Sequence, residues 1–147
     1  MKKRVILGSI AGVMLLTLTG CGGGKTLTCT MENSEDGMSQ ITEMRVSFKN
    51  DTATSFKTTS TFEMGEEYSG YLDEFEDYLK DSMTSELEDA GVDIDFQRDG
   101  NKFILTMGAD FSEMTDEEKA DLGFDESDDN SYDTIKSSLE DSGYTCK

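Results

Sequence analysis

The sequence predicts an α+β domain in which one long helix packs on a face of an antiparallel sheet of about five strands. Apolar and polar residues alternate in five short segments, as they do in half-buried strands. Polar turn residues separate these segments and imply antiparallel pairing. Only the segment 68–90 combines considerable length with apolar residues at helical spacing. The predicted order of elements is β-β-β-α-β-β-α-α.

The first three strands are predicted to form a meander. They cover Thr26–Glu32, residues 43–48 and residues 53–63, and the polar segments 33–37 and 49–52 supply the turns. The residues expected to face inward are Leu27, Cys29 and Met31 on the first strand, Met44, Val46 and Phe48 on the second, and Phe56, Thr58, Ser60 and Phe62 on the third.

The long helix is predicted to run from Tyr68 to Ala90 and to end at Gly91, since glycine adopts the left-handed conformation cheaply. Its apolar residues recur every three or four positions, which predicts a stripe facing a core. The stripe consists of Tyr68, Tyr71, Leu72, Phe75, Tyr78, Leu79, Met83, Leu87 and Ala90. The opposite, acidic face carries Asp73, Glu74, Asp77, Asp81 and Glu88.

A β-hairpin is predicted after the helix. Val92–Gln97 and Phe103–Met107 both alternate, and Asp99-Gly100 between them is a strong hairpin signal. This hairpin supplies the last two strands of the predicted sheet.

Two shorter helices are predicted to complete the domain. Thr115 and Glu118 have the spacing of a capping box, so a short helix should begin there and stop at Gly123. Ser131 is predicted to cap a last helix that ends at Gly143.

Residues 1–20 have the pattern of an export signal. Lys2, Lys3 and Arg4 form a cationic start, and Val5–Leu16 is nearly all apolar. Such a run suits a secretory signal, whereas spanning a bilayer takes about 20 residues. A single-pass anchor and an ordinary cleaved signal with a chance cysteine are the alternatives.

The signal ends in Leu18-Thr19-Gly20-Cys21, which closely resembles the bacterial lipobox. That resemblance implies a thioether-linked diacylglyceryl group on Cys21 and cleavage just before it. Two acyl chains hold a protein stably on a membrane. The predicted organisation is a lipoprotein signal peptide at 1–20, a lipidated cysteine with a glycine tether at 21–25, and a single extracytoplasmic domain at 26–147.

The other two cysteines, Cys29 and Cys146, lie near the two ends of the predicted domain. Export places them in a non-reducing compartment, which favours a disulfide between them over two free thiols. The sequence contains no Cys-x-x-Cys, which disfavours a thioredoxin-like role. Two thiolates without histidine do not supply the usual zinc ligands.

The charge of the chain restricts its partners. Residues 21–147 contain 10 basic and 32 acidic residues, which is a formal charge of −22. A surface this acidic repels nucleic acid, anionic lipid and anionic polymers at long range and attracts cations or basic partners. Keeping an exposed protein in solution is the simpler interpretation of this charge.

Motifs for catalysis and cofactor binding are absent from the sequence. It contains no histidine, and neither Gly-x-Gly-x-x-Gly nor Gly-x-x-x-x-Gly-Lys occurs. We therefore expect no enzyme activity and no cofactor.

A calcium-binding site is the most specific alternative function, with Asp125, Ser127 and Asp129 as weak candidate ligands. An EF-hand counted from Asp125 needs glycine and glutamate where Asn130 and Lys136 stand, so that motif fails. Asp93, Asp95 and Asp99 form a second weak cluster. A solvated acidic loop is the favoured interpretation, and no metal is predicted.

Several of these features together resemble the small YehR-like bacterial lipoproteins. The residues that carry the resemblance are Leu18–Cys21, Thr28-Cys29-Thr30, Gly91-Val92 and Phe103–Met107. This chain departs from the pattern in its stronger acidity and in its cysteine-bearing tail at 124–147. The family has no assigned activity, so the resemblance implies no functional residue.

The function predicted from these observations is non-catalytic. We expect a lipoprotein anchored through acylated Cys21 to the outer side of the cytoplasmic membrane of a Gram-positive bacterium, where it binds an unknown protein or small ligand and no nucleic acid. The alternatives are an accessory envelope subunit whose acidic helix face docks a basic partner, and a calcium-binding surface protein.

Overall fold

The structure is a computed structural model that describes residues 24–87, 90–125 and 128–147. These residues form six strands, three α-helices and two single-turn 3-10 helices. The strands are β1 (Gly24–Glu35), β2 (Met38–Lys49), β3 (Thr52–Met64), β4 (Asp93–Asp99), β5 (Lys102–Asp110) and β6 (Thr145–Cys146). The α-helices are α1 (Leu72–Leu87), α2 (Asp116–Asp121) and α3 (Tyr132–Asp141), and the 3-10 turns are Glu66–Tyr68 and Phe111–Glu113.

The strands form one antiparallel sheet in the order β4-β5-β3-β2-β1-β6. The predicted α+β class, the meander β1-β2-β3 and the hairpin β4-β5 agree with this order. The predicted number of about five strands is too low, because β6 is a sixth strand that pairs with β1 at the cysteine positions. A two-residue strand is too short to show alternation, so its pairing arises from the fold alone.

The first hairpin is longer than the sequence pattern predicted. Strand β1 already begins at Gly24 and reaches Glu35, and the turn to β2 is only Asp36-Gly37. Both turn residues have positive φ, 47° and 79°, as a tight two-residue hairpin turn requires. Gly24 and Lys25 of the predicted tether therefore belong to the sheet.

Helix α1 is shorter than the predicted helix and buries a narrower stripe. Tyr68 lies in a separate 3-10 turn, and α1 begins at Leu72. Tyr71 and Tyr78 are 62% and 65% exposed, so their predicted core position is wrong. The residues that pack inward include Leu72, Phe75, Leu79 and Leu87. Gly91 has φ +73° directly after this region, as predicted.

The N-terminus of α2 matches the prediction in detail. The Thr115 hydroxyl accepts from the backbone N–H of Glu118, and the Glu118 carboxylate accepts from the backbone N–H of Thr115. These bonds satisfy two donors that a helix end would otherwise leave without partners. Gly123 follows the helix with φ +84°.

Helix α3 begins where predicted, but other residues cap it. Ser131 occupies the N-cap position, and its hydroxyl donates to Thr134 Oγ1 instead of accepting from a backbone N–H. Carboxylates accept from the first N–H groups, Asp129 from Ser131 at 3.1 Å and Asp51 from Tyr132 at 3.3 Å. A negative charge is favourable at this end of a helix.

Two core clusters lie on the same face of the sheet, which we call the covered face. The larger cluster is built on Leu27, Cys29, Val46, Phe48, Ala53, Val92, Ala109, Phe111 and Met114, and the smaller one on Phe62, Met64, Leu79 and Phe103. Apolar residues of α1 pack on the smaller cluster, and those of α3 pack on the larger one. The alternate residues of the strands form the opposite, open face, which is rich in threonine and charged residues.

Candidate functional site

A cavity of about 390 Å³ lies on the covered face, between the sheet and the segments that follow α1, α2 and α3. It is lined by Met31, Gln40, Thr42, Met44, Phe56, Thr58, Ser60, Leu87, Val92, Met107, Leu122, Phe124 and Tyr144. Nine of these thirteen side chains are apolar or aromatic, and the polar ones all come from β2 and β3. The volume falls in the range of about 300–1,000 Å³ that is typical of small-molecule sites.

Three buried hydroxyl side chains form the floor of the cavity, at inward positions where sheets usually carry Val or Ile. Thr42, Thr58 and Ser60 are only 5%, 6% and 7% exposed. The Thr42 and Ser60 hydroxyls lie 3.2 Å apart and form a hydrogen bond, and Gln40 Nε2 donates to Thr42 Oγ1 at 3.3 Å. Such bonds offset the penalty of burying polar groups.

Thr58 differs from its two neighbours. No described residue forms a hydrogen bond with its hydroxyl, although every fully shielded side-chain nitrogen or oxygen of the described residues has a partner. The Thr58 hydroxyl therefore retains some accessible surface. In the sheet register Thr58 stands between Met44 and Met107, so its immediate surroundings are apolar. A ligand atom that hydrogen-bonds to Thr58 would satisfy the one unpaired hydroxyl of the floor.

The walls of the cavity combine flexible and rigid side chains. Met31, Met44 and Met107 have unbranched side chains that fit apolar surfaces of varied shape. Phe56 and Phe124 stack with ring centroids 6.0 Å apart and an interplanar angle of 13°. This arrangement favours a ligand with an apolar body and one polar group.

Tyr144 closes one side of the cavity and is held by the chain around it. Its backbone N–H donates to the Leu139 carbonyl at the end of α3. Two residues further on, the Sγ atoms of Cys146 and Cys29 lie 1.96 Å apart, at disulfide distance. This is the cysteine pair that the sequence predicted to form a bridge. Cys29 is fully buried in the larger core cluster.

The predicted lipidation site, Cys21, lies outside the described residues, as does the whole predicted signal peptide. Within the described ranges, none of the helices has the length and apolar character needed to cross a bilayer.

The weak calcium candidates are placed in the loop between α2 and α3. Ser127 lies outside the described residues. The Asp129 carboxylate accepts from Thr134 Oγ1 and from the Ser131 N–H, and these hydrogen bonds lower its pKa. The Asp125 carbonyl accepts from Asn130 Nδ2. In the described part of the chain, no three Asp, Glu or Cys side chains are grouped in a way that could hold a metal ion.

The second acidic cluster lies along the edge strand β4. Asp93, Asp95 and Asp99 occupy alternate or near-alternate positions on the open face, and Asp95 accepts from Gln97 Nε2. Acidic side chains on an exposed edge strand discourage pairing with other chains. This gives the cluster a structural explanation.

The acidic face of α1 is tied to the sheet at one point. Arg98 of β4 donates to Asp73 Oδ1 and to Glu76 Oε2, both at 2.7 Å. Hydrogen bonds from Lys80 and Arg98 lower the pKa of Glu76, and hydrogen bonds to Asp73 and Glu76 raise that of Arg98. The exposed Tyr71, which directly precedes α1, and the exposed Tyr78 of α1 are seven residues apart.

The sequence predicted the inward position of some cavity residues, but it did not predict a cavity. Alternation correctly directs Thr58 and Ser60 inward together with Phe56 and Phe62. Two hydroxyl residues at successive inward positions of a central strand, Thr58 and Ser60, were the sequence feature that could have indicated a polar cavity floor. The walls from Leu122, Phe124 and Tyr144 could not be found in this way, because they come from segments distant in sequence.

Comparisons with known proteins support the fold alone. An NMR structure of a protein from Streptococcus pneumoniae TIGR4 is similar, with a TM-score of 0.57 over 92% of this chain and 92% of that chain. The two sequences are 17% identical over this alignment. No protein-family model and no curated protein matches the chain. The resemblance to the YehR-like lipoproteins therefore stays a prediction.

Proposed function

We propose that this protein is a membrane-anchored extracytoplasmic lipoprotein of a Gram-positive bacterium that binds a small amphipathic ligand and catalyses no reaction. The lipobox ending at Cys21 supports the anchor, and the lack of histidine and of phosphate-binding motifs supports a non-catalytic role. One observation carries the binding role: the hydroxyl of the buried Thr58 lines an apolar cavity without a partner among the described residues.

The chemistry of the cavity defines the class of ligand. Methionine, phenylalanine and leucine side chains favour an aliphatic or aromatic body, because transfer of apolar surface from water is favourable. Thr58 can donate or accept one hydrogen bond, so an alcohol, carbonyl or ether oxygen suits it. No charged side chain lines the cavity, which disfavours a highly charged ligand.

The binding role is tested with decan-1-ol, an apolar chain that carries one hydroxyl. We expect saturable binding to the purified protein, measured by titration calorimetry. Thr58→Val keeps the shape and removes the hydroxyl, so it should weaken binding about fivefold, the equivalent of about 1 kcal/mol for one hydrogen bond. Met107→Trp should fill the cavity and abolish binding.

Thr59→Val is the matched control, because Thr59 is the next residue of β3 and lies on the open face. Its affinity for decan-1-ol should equal that of the wild type. No saturable binding to the wild type, or equal weakening by Thr58→Val and Thr59→Val, would contradict the proposal.

The anchor has a separate test. Cells that express the wild type or Cys21→Ala are grown with labelled palmitate, and we expect label only in the wild type. Equal labelling of both proteins would refute acylation at Cys21.

A second candidate function is docking of a basic partner protein on the outer face of α1. The specific observation in its favour is the exposure of Tyr71 and Tyr78 beside Asp77 and Asp81. Tyrosine is enriched at protein interfaces and contributes strongly to them. Salt-sensitive capture of one cell-envelope protein by the wild type, lost in Tyr71→Ser/Tyr78→Ser, would favour this role over ligand binding.

A further inference from the structure

The segment 143–147, which we call the strap, forms part of the cavity wall and has few contacts with the sheet. Its strand β6 consists only of Thr145 and Cys146, which pair with β1. Beyond β6, backbone hydrogen bonds of 2.9 Å and 3.4 Å join Lys147 to Thr28. Strands usually have about three to ten residues, so a pairing this short holds the strap weakly by itself.

Two neighbouring wall residues of the cavity depend on the strap. The Tyr144 side chain is half-buried against the larger core cluster, and no described residue forms a hydrogen bond with its hydroxyl. Packing and the backbone bond to Leu139 therefore place the ring. Gly143 lies over Met31, since a side-chain carbon added to Gly143 would be 4.0 Å from Met31 Sδ. Displacement of the strap would open the cavity on the side of Tyr144 and Met31.

The bridge between Cys29 and Cys146 is the only covalent link between the strap and β1 among the described residues. Cys29 is fully buried, whereas Cys146 is partly exposed, so a reductant reaches Cys146 first. A thiolate of a dithiol that attacks Cys146 Sγ forms a mixed disulfide and releases the Cys29 thiolate. The second thiol then closes a cyclic disulfide and releases Cys146. The two cysteines gain two electrons, and the dithiol loses them.

We propose that this bridge is a redox-sensitive switch for the cavity: reduction by a dithiol frees the strap, moves Tyr144 out of the wall and weakens ligand binding. This inference rests on the proposed binding role of the cavity. Neither cysteine lines the cavity, so the bridge is a positioning element that acts through Tyr144. A site that is complete for only about a tenth of the time binds its ligand about tenfold more weakly.

The test compares the affinity of oxidised and reduced protein for decan-1-ol by titration calorimetry. The starting protein is Cys21→Ala, which leaves only the two bridge cysteines, and the reductant is dithiothreitol. We expect about tenfold weaker binding after reduction. Cys146→Ser, which cannot form the bridge, should bind equally weakly without reductant. Tyr144→Ala should bind with nearly the same affinity in both redox states, because the switch acts through the Tyr144 ring.

Two fluorescent reporter variants show whether the strap alone moves. The sequence contains no tryptophan, so Tyr144→Trp reports on the strap and Tyr132→Trp on the beginning of α3. Tyr132 packs on Phe48 in the larger core cluster, with ring centroids 5.3 Å apart. On reduction we expect the emission of Tyr144→Trp to shift to longer wavelength and that of Tyr132→Trp to stay unchanged.

Leu79→Ala is the matched control for a general loss of stability, because Leu79 lies in the smaller core cluster and does not line the cavity. While folded, this variant should bind decan-1-ol as tightly as the starting protein. Oxidised protein and Cys146→Ser of equal affinity, or an emission shift in both reporter variants, would overturn the redox switch alone. No saturable binding to the oxidised protein would overturn the proposed binding role, and the switch with it.

Discussion

The hydroxyls of Thr42 and Ser60 lie 3.2 Å apart across the pairing of β2 with β3, buried in the floor of the cavity. Ser60 is satisfied by Thr42, which also accepts from Gln40 Nε2 at 3.3 Å. The pair therefore explains how two polar residues are tolerated at inward positions, and it leaves Thr58 as the hydroxyl available to a ligand.

The Thr42–Ser60 pair predicts a non-additive result in a double-mutant cycle. Thr42→Val should lower the free energy of unfolding by about 1–3 kcal/mol, because it leaves the buried Ser60 hydroxyl without its partner. Ser60→Ala should cost less, because Thr42 still accepts from Gln40. The double variant should lose less than the sum of the two. Urea denaturation measures all four proteins, and strict additivity would mean that the two hydroxyls do not interact.

Two adjacent residues of α1 should respond very differently to truncation. Leu79 is 4% exposed in the smaller core cluster, whereas Tyr78 is 65% exposed. Leu79→Ala should lower the free energy of unfolding by about 2–5 kcal/mol because it leaves a cavity. Tyr78→Ala should change it by no more than about 0.5 kcal/mol. Similar losses in thermal or urea unfolding would contradict the orientation of α1.

The Cys29–Cys146 bridge should stabilise the domain by restricting the unfolded chain. The two cysteines are 117 residues apart, and loop-closure arithmetic for so long a loop gives about 4–5 kcal/mol as an upper value. Cys146→Ser should lower the free energy of unfolding by up to that amount. A thiol assay on unfolded Cys21→Ala should detect no free thiol, and two titratable thiols would disprove the bridge.

The capping box of α2 predicts a pH-dependent contribution to stability. The hydrogen bonds from the Thr115 backbone and hydroxyl lower the pKa of Glu118 below its ordinary value of 4.5. A lowered pKa in the folded state means that the stabilisation is complete above about pH 4.5 and is lost as pH falls through the folded-state pKa. Glu118→Ala should therefore lower the melting temperature at pH 7, and this effect should shrink as the pH falls below 4.5.

Glu117→Ala is the control for this measurement, since Glu117 is exposed on the same turn of α2. Its effect at pH 7 should be smaller than that of Glu118→Ala. A difference between the wild type and Glu118→Ala that stays constant from pH 7 to pH 3 would show that the ionised carboxylate is not responsible.

The sequence predicted the ends of the helices correctly where a residue type strongly prefers one backbone conformation or one capping position. Gly91, Gly123 and Gly143 all adopt positive φ at predicted helix ends, and Thr115 and Glu118 form the predicted capping box. The prediction failed for Tyr71 and Tyr78, because spacing alone does not show how wide a stripe the sheet can cover. Leu72, Phe75, Leu79 and Leu87 do pack on the core.

The alternation of β3 predicted that Thr58 faces inward, but it did not show that the Thr58 hydroxyl would lack a hydrogen-bond partner. Alternation directs Thr58 inward whatever surrounds it. Whether its hydroxyl finds a protein partner depends on Met44 and Met107 on the neighbouring strands, which is a consequence of register.

The residues alone predict the pattern of strands and helices, the strong negative charge, a lipobox at Cys21, and the pairing of Cys29 with Cys146. These are properties of local periodicity, composition and short motifs. The sixth strand and the cavity with its unpaired hydroxyl emerged only from the folded chain. They depend on contacts between residues far apart in sequence, and such contacts are set by how the strands pair and where the helices pack.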